Sequence, residues 1–382
     1  GLRQQFQTLA LMAVLDQDAT QIALAKRLLL AMPALFPVTA VVGKVRSPVA
    51  GLSHGHFSLA YDLLHPHLTA AEAATFSTWL TTNMIRPALA AARSHLLLHS
   101  AGNLQINAIV PAVLGLLSII GDPGAEEAQA ELQELITLLR GSITTTMGPD
   151  GYPEEDMGYG TLMSGVLGQI AEATRRAGVY DPYTDTPNYR NFGHAVLHFV
   201  QPWGENLSMT GDHGDDFGFR GLILTAQAAT LKAPELLWLL GTLPYPSRVS
   251  NSDQRQPADI TTANGLLAPI CPFTLLAPPP LHRARHPGKV GVPTAFRERG
   301  RGLVSFRDSW DAQATFVVFD GSQRSPSGQG HAHASCGHFS ISALGEYFAV
   351  DSGRYNMEQN CHNVTLVNGQ SGRSTDGQWT AM

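Results

Sequence analysis

Histidine and aspartate residues near the C-terminal end of the chain have the types and spacing of a metal site. His331 and His333 are two residues apart, so in a β-strand both imidazoles would leave the same face. Asp351 and His362 follow at the expected ends of two further short strands. Two imidazoles and a carboxylate at strand ends suit Zn²⁺. In the alternative interpretation, each histidine only hydrogen-bonds to backbone groups. For the whole array we favour the metal site.

The sequence around these residues resembles one known family. The run HAHASCGHFSISALGEYFAVDSGRY, followed by HNVTLVNGQSG, is similar to the heparinase II/III-like group of polysaccharide lyases. That group has an HxH strand, a glycine and phenylalanine, a GE turn, a D-x-G strand end, and then HN with an apolar strand. Order, spacing and residue type agree along the whole run. The resemblance points to the group and does not select one member of it.

For the metal site, the resemblance assigns the ligands. It implies that His333, Asp351 and His362 hold one structural divalent metal, Zn²⁺ by preference, which would mainly brace a β-domain against a helical domain. His331 corresponds to a histidine at the edge of the active site. The group often has Asp two residues after the second histidine, where this chain has Ser335. An acceptor that would orient a ligand is therefore missing.

Two helix-opening motifs match catalytic segments of the group. Asn103 would by itself be read as a helix N-cap, but the resemblance implies that it binds the uronate carboxylate and makes the adjacent C–H more acidic. The group often has His or Trp next, where this chain has Leu104. In the segment GPDGYPEEDMGYG, Tyr159 corresponds to the acid/base of the group, and Tyr152 is the weaker alternative. Because the ordinary pKa of tyrosine is about 10, a base role needs a nearby cation or metal. Without the resemblance, Tyr159 would be read as a core or rim aromatic.

Three further residues are candidates for substrate binding. Arg354 and Tyr355 follow the D-x-G turn, where a cation and an aromatic ring suit an anionic sugar, although both are common on surfaces. The acidic loop at residues 204–216 invites a Ca²⁺ interpretation, but it lacks the EF-hand glutamate and regular ligand spacing. In the group, a GD pair at this place lines the cleft. We therefore expect Asp212 to be structural, and His213 is the candidate to face the substrate.

Helical periodicity runs through residues 1–245, with proline residues at 33 and 37 expected to end an early helix. Thr69 to Glu72 has the pattern of a capping box. Further helices are predicted near residues 58–64, 72–93, 103–120, 125–140, 158–177, 188–200 and 219–241. Such a succession of helical hairpins without strands predicts an α/α toroid or solenoid. The lyase group has this toroid.

The pattern changes after residue 245. Repeated prolines over residues 246–295 predict an irregular linker. From Gly302 the apolar period becomes two, which predicts an antiparallel β-sandwich over residues 296–382. The sequence stops soon after a strand, so an incomplete β-domain is expected.

The composition is that of a globular protein, with 44% hydrophobic and 15% charged residues. No apolar run reaches membrane-spanning length. A formal charge of −6 argues against a general nucleic-acid binder, although a locally basic cleft can still bind an anionic glycan. Three cysteines are too few for a disulfide framework, and we expect free thiols. The chain opens at Gly1 with no initiator Met and no signal peptide, so we expect a processed or trimmed start. We also expect a periplasmic or secreted location.

Together these features predict a polysaccharide lyase that cleaves a uronic-acid polymer, such as alginate or a glycosaminoglycan, by β-elimination. Asn103 would hold the C5 carboxylate, Tyr159 would take the C5 proton and protonate the leaving O4, and His331 would assist. Elimination needs no water nucleophile, so paired carboxylates are not required. One alternative is a toroid glycoside hydrolase, which would need two carboxylates across the cleft. The other is a non-catalytic protein that binds anionic glycans.

Overall fold

The structure is a computed structural model that describes most of the chain. The described residues are 2–35, 57–93, 103–204, 207–208, 210–211, 222–242, 279–321, 333, 335–353, 356, 358–366 and 368. Its α-helices are α1 (Leu2–Asp16), α2 (Ala19–Leu35), α3 (residues 57–64), α4 (Ala70–Leu80), α5 (Arg86–Arg93), α6 (Asn103–Ile119), α7 (Ala128–Thr146), α8 (Asp156–Arg176), α9 (Pro182–Asp185), α10 (Pro187–Phe199), α11 (Leu222–Leu231) and α12 (Pro234–Thr242). The predicted succession of helices is therefore confirmed.

The helices form where local signals and apolar spacing agree. The capping box predicted at α4 is present, since Thr69 Oγ1 accepts from the Glu72 N–H and Thr69 N–H donates to Glu72 Oε2. A π-helical segment (Thr81–Ile85) joins α4 to α5. In the core, α6 packs against both α7 and α8, and α8 also packs against α11. The helix that carries Tyr159 is thus surrounded by other helices.

Two helix boundaries differ from the sequence prediction. Pro33 does not end α2, which continues to Leu35. The helix predicted over residues 219–241 is two helices, α11 and α12. Between them Lys232 has a positive φ of 53°, and Pro234 lacks the N–H that a continuous helix would need. Because the residue before a proline also avoids the helical region, the break lies here.

Five antiparallel strands form one sheet in the C-terminal part that the structure describes. The strands are β1 (Ala295–Arg297), β2 (Leu303–Arg307), β3 (Phe316–Asp320), β4 (Phe339–Ala343) and β5 (Glu346–Ala349), in the spatial order β1-β2-β3-β4-β5. Alternate residues such as Leu303, Ser305 and Arg307 are buried, whereas Phe306 is 48% exposed. The sequence prediction of antiparallel strands after the helices is confirmed.

The buried face of the sheet rests on the helical part of the chain. Phe296 of β1 stacks on His198 of α10, with ring centroids 4.7 Å apart. Ser340 of β4 hydrogen-bonds to Ser208 at 3.0 Å. These contacts hold the strands against α10 and the segment that follows it.

The predicted linker is only partly described, because residues 246–278 lie outside the described residues. Its remaining portion contains two single turns of 3₁₀-helix, Leu281–Arg283 and Pro287–Lys289. Cys336 and Cys361 are free thiols, as expected. Among the described helices, none is long and apolar enough to cross a membrane.

Candidate functional site

Both predicted catalytic residues of the helical part belong to helix N-termini. Asn103 is the first residue of α6, and Tyr159 lies in the first turn of α8. The side chains of both lie outside the part of the chain that the structure describes. The roles of Asn103 and Tyr159 therefore stay predictions. The predicted site residues His331, His213, Arg354 and Tyr355 lie wholly outside the described residues.

The loop before α8 is held in one conformation by close packing. Met147 pairs with Pro153 across it, and the Gly148 N–H donates to the Tyr152 carbonyl at 2.8 Å. Gly151 has a positive φ of 89°, and a Cβ there would collide with the backbone of α10. A Cβ at Gly148 would collide with the carboxylate of Glu298. Gly151 is thus needed for the loop to close, whereas a side chain at position 148 would require the Glu298 side chain to move.

Tyr152, the weaker candidate for the acid/base, is part of this packed loop. It is 1% exposed, and its hydroxyl donates to Asp156 Oδ1 at 2.9 Å and meets Thr210 Oγ1 at 2.6 Å. Burial and the Asp156 charge raise the pKa of Tyr152 well above its ordinary value. A phenolate at Tyr152 is therefore strongly disfavoured, which argues against Tyr152 as the acid/base.

A buried arginine connects the start of α8 to the sheet. Arg301 lies in the turn between β1 and β2, and its guanidinium pairs with Asp156 at 2.6 Å and approaches Asp320 at 3.9 Å. The Arg301 side chain is 2% exposed, and those of Asp156 and Asp320 are no more than 1% exposed. Burial alone would lower the pKa of Arg301, but the two carboxylates outweigh it and raise that pKa. We call this arrangement the Asp156–Arg301–Asp320 bridge.

Two neighbouring contacts reinforce this interface. Arg299, in the same turn as Arg301, forms a bidentate ion pair with Asp150 of the loop. Arg307 of β2 donates to the carbonyls of His198 and Val200 at 3.2 and 3.0 Å. These carbonyls lie at the C-terminal end of α10, where the helix dipole favours a cation. The helical part and the sheet are therefore joined at both the loop and the end of α10.

The pKa of the Glu154 carboxyl, in the loop before α8, is strongly raised. Glu154 is 7% exposed, and burial raises its pKa to about 7, although Arg301 opposes the shift. Glu298 and Asp156 add to the shift because they are negative. The Glu154 carboxyl is consequently protonated in the folded protein at pH 5 and ionised at pH 8.

We expect Glu154→Gln to remove part of the pH dependence of stability. Between about pH 4.5 and pH 7, the unfolded chain has released the Glu154 proton and the folded protein still holds it, so stability falls as pH rises. A shift of this size corresponds to roughly 3 kcal/mol. Urea unfolding at pH 5 and pH 8 measures the difference. The decrease in the free energy of unfolding from pH 5 to pH 8 should be smaller in Glu154→Gln than in the wild type by about that amount.

The exposed carboxyl of Glu346 supplies the control for this measurement. Glu346→Gln should leave the wild-type difference between pH 5 and pH 8 unchanged, because that side chain stays in solvent. An identical pH dependence in wild type and Glu154→Gln would show that Glu154 is ionised throughout.

Three residues of the histidine array come together in the structure. His333, Asp351 and His362 are buried, and one ligand atom of each lies within 4.8 Å of the others. The sequence prediction placed them on strands, which is wrong for two of them. His333 precedes the turn at Gly337 that leads into β4, and His362 follows a 3₁₀ turn (Gln359–Cys361) instead of forming a strand. Turns and loops bring the groups together.

His362 and Asp351 of the triad are in direct contact. Nδ1 of His362 bonds to Asp351 Oδ2 at 2.8 Å, and no described group hydrogen-bonds to its buried Nε2. The Gly353 N–H donates to the other oxygen of Asp351 at 2.8 Å. Burial raises the pKa of Asp351, but these hydrogen bonds outweigh it and keep the pKa below its ordinary value.

A further histidine, His338, lies beside the Asp351 carboxylate. His338 is fully buried, and its Nδ1 accepts from the Asn363 N–H at 3.1 Å. Its neutral ring must therefore carry the proton on Nε2, which lies 3.5 Å from Asp351 Oδ2. This separation is an electrostatic contact, and no described group hydrogen-bonds to Nε2 of His338. The donor set of His333, Asp351 and His362 fits one divalent metal ion.

Several residues of this region were missed by sequence reasoning. Arg301 lies in the charged, glycine-rich run RERGRG, which is typical of a solvated turn. Asp320 ends an apolar strand and has no motif around it. His338 stands inside the histidine array and was given no role. The position of His338 directly before β4, which packs into the core, indicates that its side chain is buried.

The described chain can be compared with known proteins. Residues 299–377 match the family Heparinase II/III-like, C-terminal. Heparan sulfate lyase HepC from Pedobacter heparinus has a similar structure, with a TM-score of 0.60 and 16% identity over 92% of this chain and 48% of that one. The heparinase III product of BT4657 gives a TM-score of 0.60 and 14% identity, over 97% of this chain and 56% of that chain.

A third structure, heparinase III, gives a TM-score of 0.53 with 11% identity, over 85% of this chain and 48% of that chain. The chain thus spans about half the length of the solved structures that it matches. No curated protein matches the sequence significantly.

These comparisons bear on the fold class and on the family. At this level of identity the structural matches establish the fold, and the predicted order of an α/α toroid followed by an antiparallel β-sandwich is confirmed. The family match covers the bridge residues Arg301 and Asp320 and the whole histidine array. The resemblance seen in the sequence is confirmed, because residues 299–377 match the heparinase II/III-like C-terminal family and the fold matches solved heparinase III structures.

Proposed function

We propose that this protein is a polysaccharide lyase that cleaves a uronic-acid-containing polysaccharide by β-elimination. The observation that carries the proposal is the Asp156–Arg301–Asp320 bridge. Tyr159 lies three residues after Asp156, and Asp320 accepts from Ser335 Oγ at 2.6 Å, two residues beyond His333. The bridge therefore brings the helix that bears Tyr159 to the segment that bears the histidines. A helical surface and a β-domain that meet in this way can enclose a glycan chain.

The proposed chemistry divides between three residues. Asn103 binds the C5 carboxylate with its amide N–H group, which makes the C5–H more acidic. Tyr159 takes the C5 proton and returns it to the O4 leaving group, so one side chain serves as base and then as acid. His331 balances charge at the edge of the site. The C4–O4 bond breaks and a C4–C5 double bond forms, with no water consumed.

The metal is proposed as a structural Zn²⁺ held by His333, Asp351 and His362. Bound zinc would cross-link the segment before β4 to the loops that follow β5. His338 and the Gly353 N–H keep Asp351 in place. Arg354 and Tyr355 follow directly, and we assign them, with His213, to binding of the anionic sugar. A periplasmic or secreted location is part of the same proposal, because the polymer is extracellular.

Ultraviolet absorbance of an unsaturated uronate product tests the function. Purified protein would be incubated with alginate, heparan sulfate, chondroitin sulfate and hyaluronan. A rise in absorbance with at least one of them supports the lyase. Release of reducing ends without absorbance would indicate a hydrolase instead, and tight binding without either product would indicate a glycan-binding protein.

We predict a preference for one configuration at C5. In glucuronate and mannuronate the C5 hydrogen and the C4 oxygen lie on the same side of the ring, so one tyrosine can reach both. In iduronate and guluronate they lie on opposite sides, and a second base is needed. Leu104, the residue after Asn103, cannot transfer protons. Initial rates on polymannuronate should therefore exceed those on polyguluronate.

The two C5 epimers can also be compared in glycosaminoglycans, whether sulfated or not. Glucuronate-rich chains should be cut faster than iduronate-rich ones of matched charge. Faster cleavage of the C5 epimers would contradict the single-tyrosine mechanism and direct attention to His331.

A further inference from the structure

The bridge joins groups from two parts of the proposed site that are far apart in sequence. Asp156 is the first residue of α8, Arg301 lies between β1 and β2, and Asp320 is the last residue of β3. All three side chains are almost fully buried. Since a buried charge is costly unless it is paired, each of these groups restricts where the others can lie.

At the helical end, the bridge sets the first turn of α8. Asp156 has a positive φ of 62°, an uncommon conformation for a residue with a side chain. Its Oδ1 accepts from both Arg301 and the Tyr152 hydroxyl. Arg301 also reaches the carbonyl of Glu154 at 3.5 Å. The conformation that starts the helix is therefore maintained from the sheet side, one turn before Tyr159.

At the sheet end, the bridge reaches the histidine segment. Asp320 Oδ2 lies near Arg301 and also accepts from Ser335 Oγ at 2.6 Å. The backbone adds to this contact, because the Asp320 N–H donates to the His338 carbonyl at 2.8 Å and the Gly337 N–H donates to the Asp320 carbonyl at 2.7 Å. A displacement of Asp320 would consequently move the segment between His333 and β4.

We propose that Arg301 is a positioning residue of the active site, which fixes the Tyr159 helix relative to the histidine segment through the Asp156–Arg301–Asp320 bridge. This inference rests on the proposed lyase function. Arg301 touches neither substrate nor reacting atoms. It acts because one planar guanidinium hydrogen-bonds to Asp156 of the helical part while lying within ion-pair distance of Asp320 in the sheet. A lysine ammonium on a flexible stem cannot reproduce this geometry.

Arg301→Lys tests this role, since it keeps the charge and removes the fixed fork. Arg299→Lys is the matched control, because Arg299 lies in the same turn but its ion pair with Asp150 is exposed. Hydrogen–deuterium exchange is measured first because it does not depend on activity. Arg301→Lys should increase exchange together in the first turns of α8 and in residues 331–338, whereas Arg299→Lys should leave both segments as in the wild type.

Steady-state kinetics on the polymer cut by the wild type give the second readout. A small displacement of a catalytic group costs up to roughly 10²-fold in rate, so kcat of Arg301→Lys should fall about 10- to 100-fold. KM should stay within about twofold, because substrate-binding groups are retained. A purely structural role would lower the melting temperature and leave kcat of the folded fraction unchanged.

The outcomes separate the hypotheses. Wild-type kcat in folded Arg301→Lys, or an exchange increase spread evenly over the chain, would overturn the positioning role. If Arg301→Lys does not fold, Asp320→Ala carries the same test, because it keeps the Arg301–Asp156 pair and removes the acceptor for Ser335. If the wild type yields no unsaturated product, the lyase proposal fails, and the exchange experiment still decides whether the two segments are coupled.

Discussion

Replacing Tyr159 with Phe is expected to lower kcat by at least 10²–10⁴-fold while the protein stays folded, because a positioned acid/base contributes about that much. The substitution removes only the hydroxyl, which would carry the proton from C5 to O4. The neighbouring motif tyrosine cannot replace it, since Tyr152 is buried and bonded to Asp156 and Thr210. Ultraviolet absorbance of the unsaturated product measures kcat, and circular dichroism verifies the fold.

Tyr347→Phe is the matched control for this substitution. Tyr347 lies in β5, is 37% exposed and packs edge-on against Trp203. The Tyr347→Phe protein should form product at the wild-type rate. A Tyr159→Phe protein that forms product at a near wild-type rate would remove Tyr159 from the mechanism, and His331 would become the main candidate.

Removal of the metal is expected to have the largest effect on stability. We expect about one zinc ion per chain in the purified protein, held by the three buried groups His333, Asp351 and His362. If free zinc stands at ~1,000 Kd, binding adds about 4 kcal/mol to the free energy of unfolding. Chelation, or His362→Ala, should therefore lower the melting temperature by several degrees. Elemental analysis and thermal unfolding before and after chelation measure both quantities.

His282→Ala provides the comparison, because His282 is exposed in the turn before β1 and should affect neither metal content nor melting temperature. A metal-free protein whose melting temperature does not respond to chelation would mean that the three groups only bond to one another. The hydrogen bond between His362 and Asp351 shows that such a pairing is available.

The helices and the buried triad of His333, Asp351 and His362 could be predicted from the sequence because each has a local or spaced signal. Apolar periodicity and the capping box at Thr69 located α4. The spacing of the histidines and Asp351 indicated the buried triad, even though the strands assumed for His333 and His362 are not present. Metal ligands require proximity and not a particular secondary structure, so the prediction of the triad did not depend on that error.

The contacts between the helical part and the sheet could not be predicted. Arg301 and Asp156 are 145 residues apart, and neither has neighbours that distinguish a buried charge from an exposed one. The sequence shows the charge of Arg301, whereas its partners depend on how the two parts pack. The same holds for Glu154, since its raised pKa is caused by burial and by Glu298 and Asp156.

The segment GPDGYPEEDMGYG contains glycines whose presence in a related sequence reports on packing and not on catalysis. Gly151 is required because a side chain would collide with the backbone of α10, and a side chain at Gly148 would displace the carboxylate of Glu298. These constraints come from packing and would act equally on a descendant that had lost its chemistry. A relative without the chemistry would therefore still keep the glycine at position 151. Under the proposed mechanism, position 159 is a better indicator of activity than the glycines that surround it.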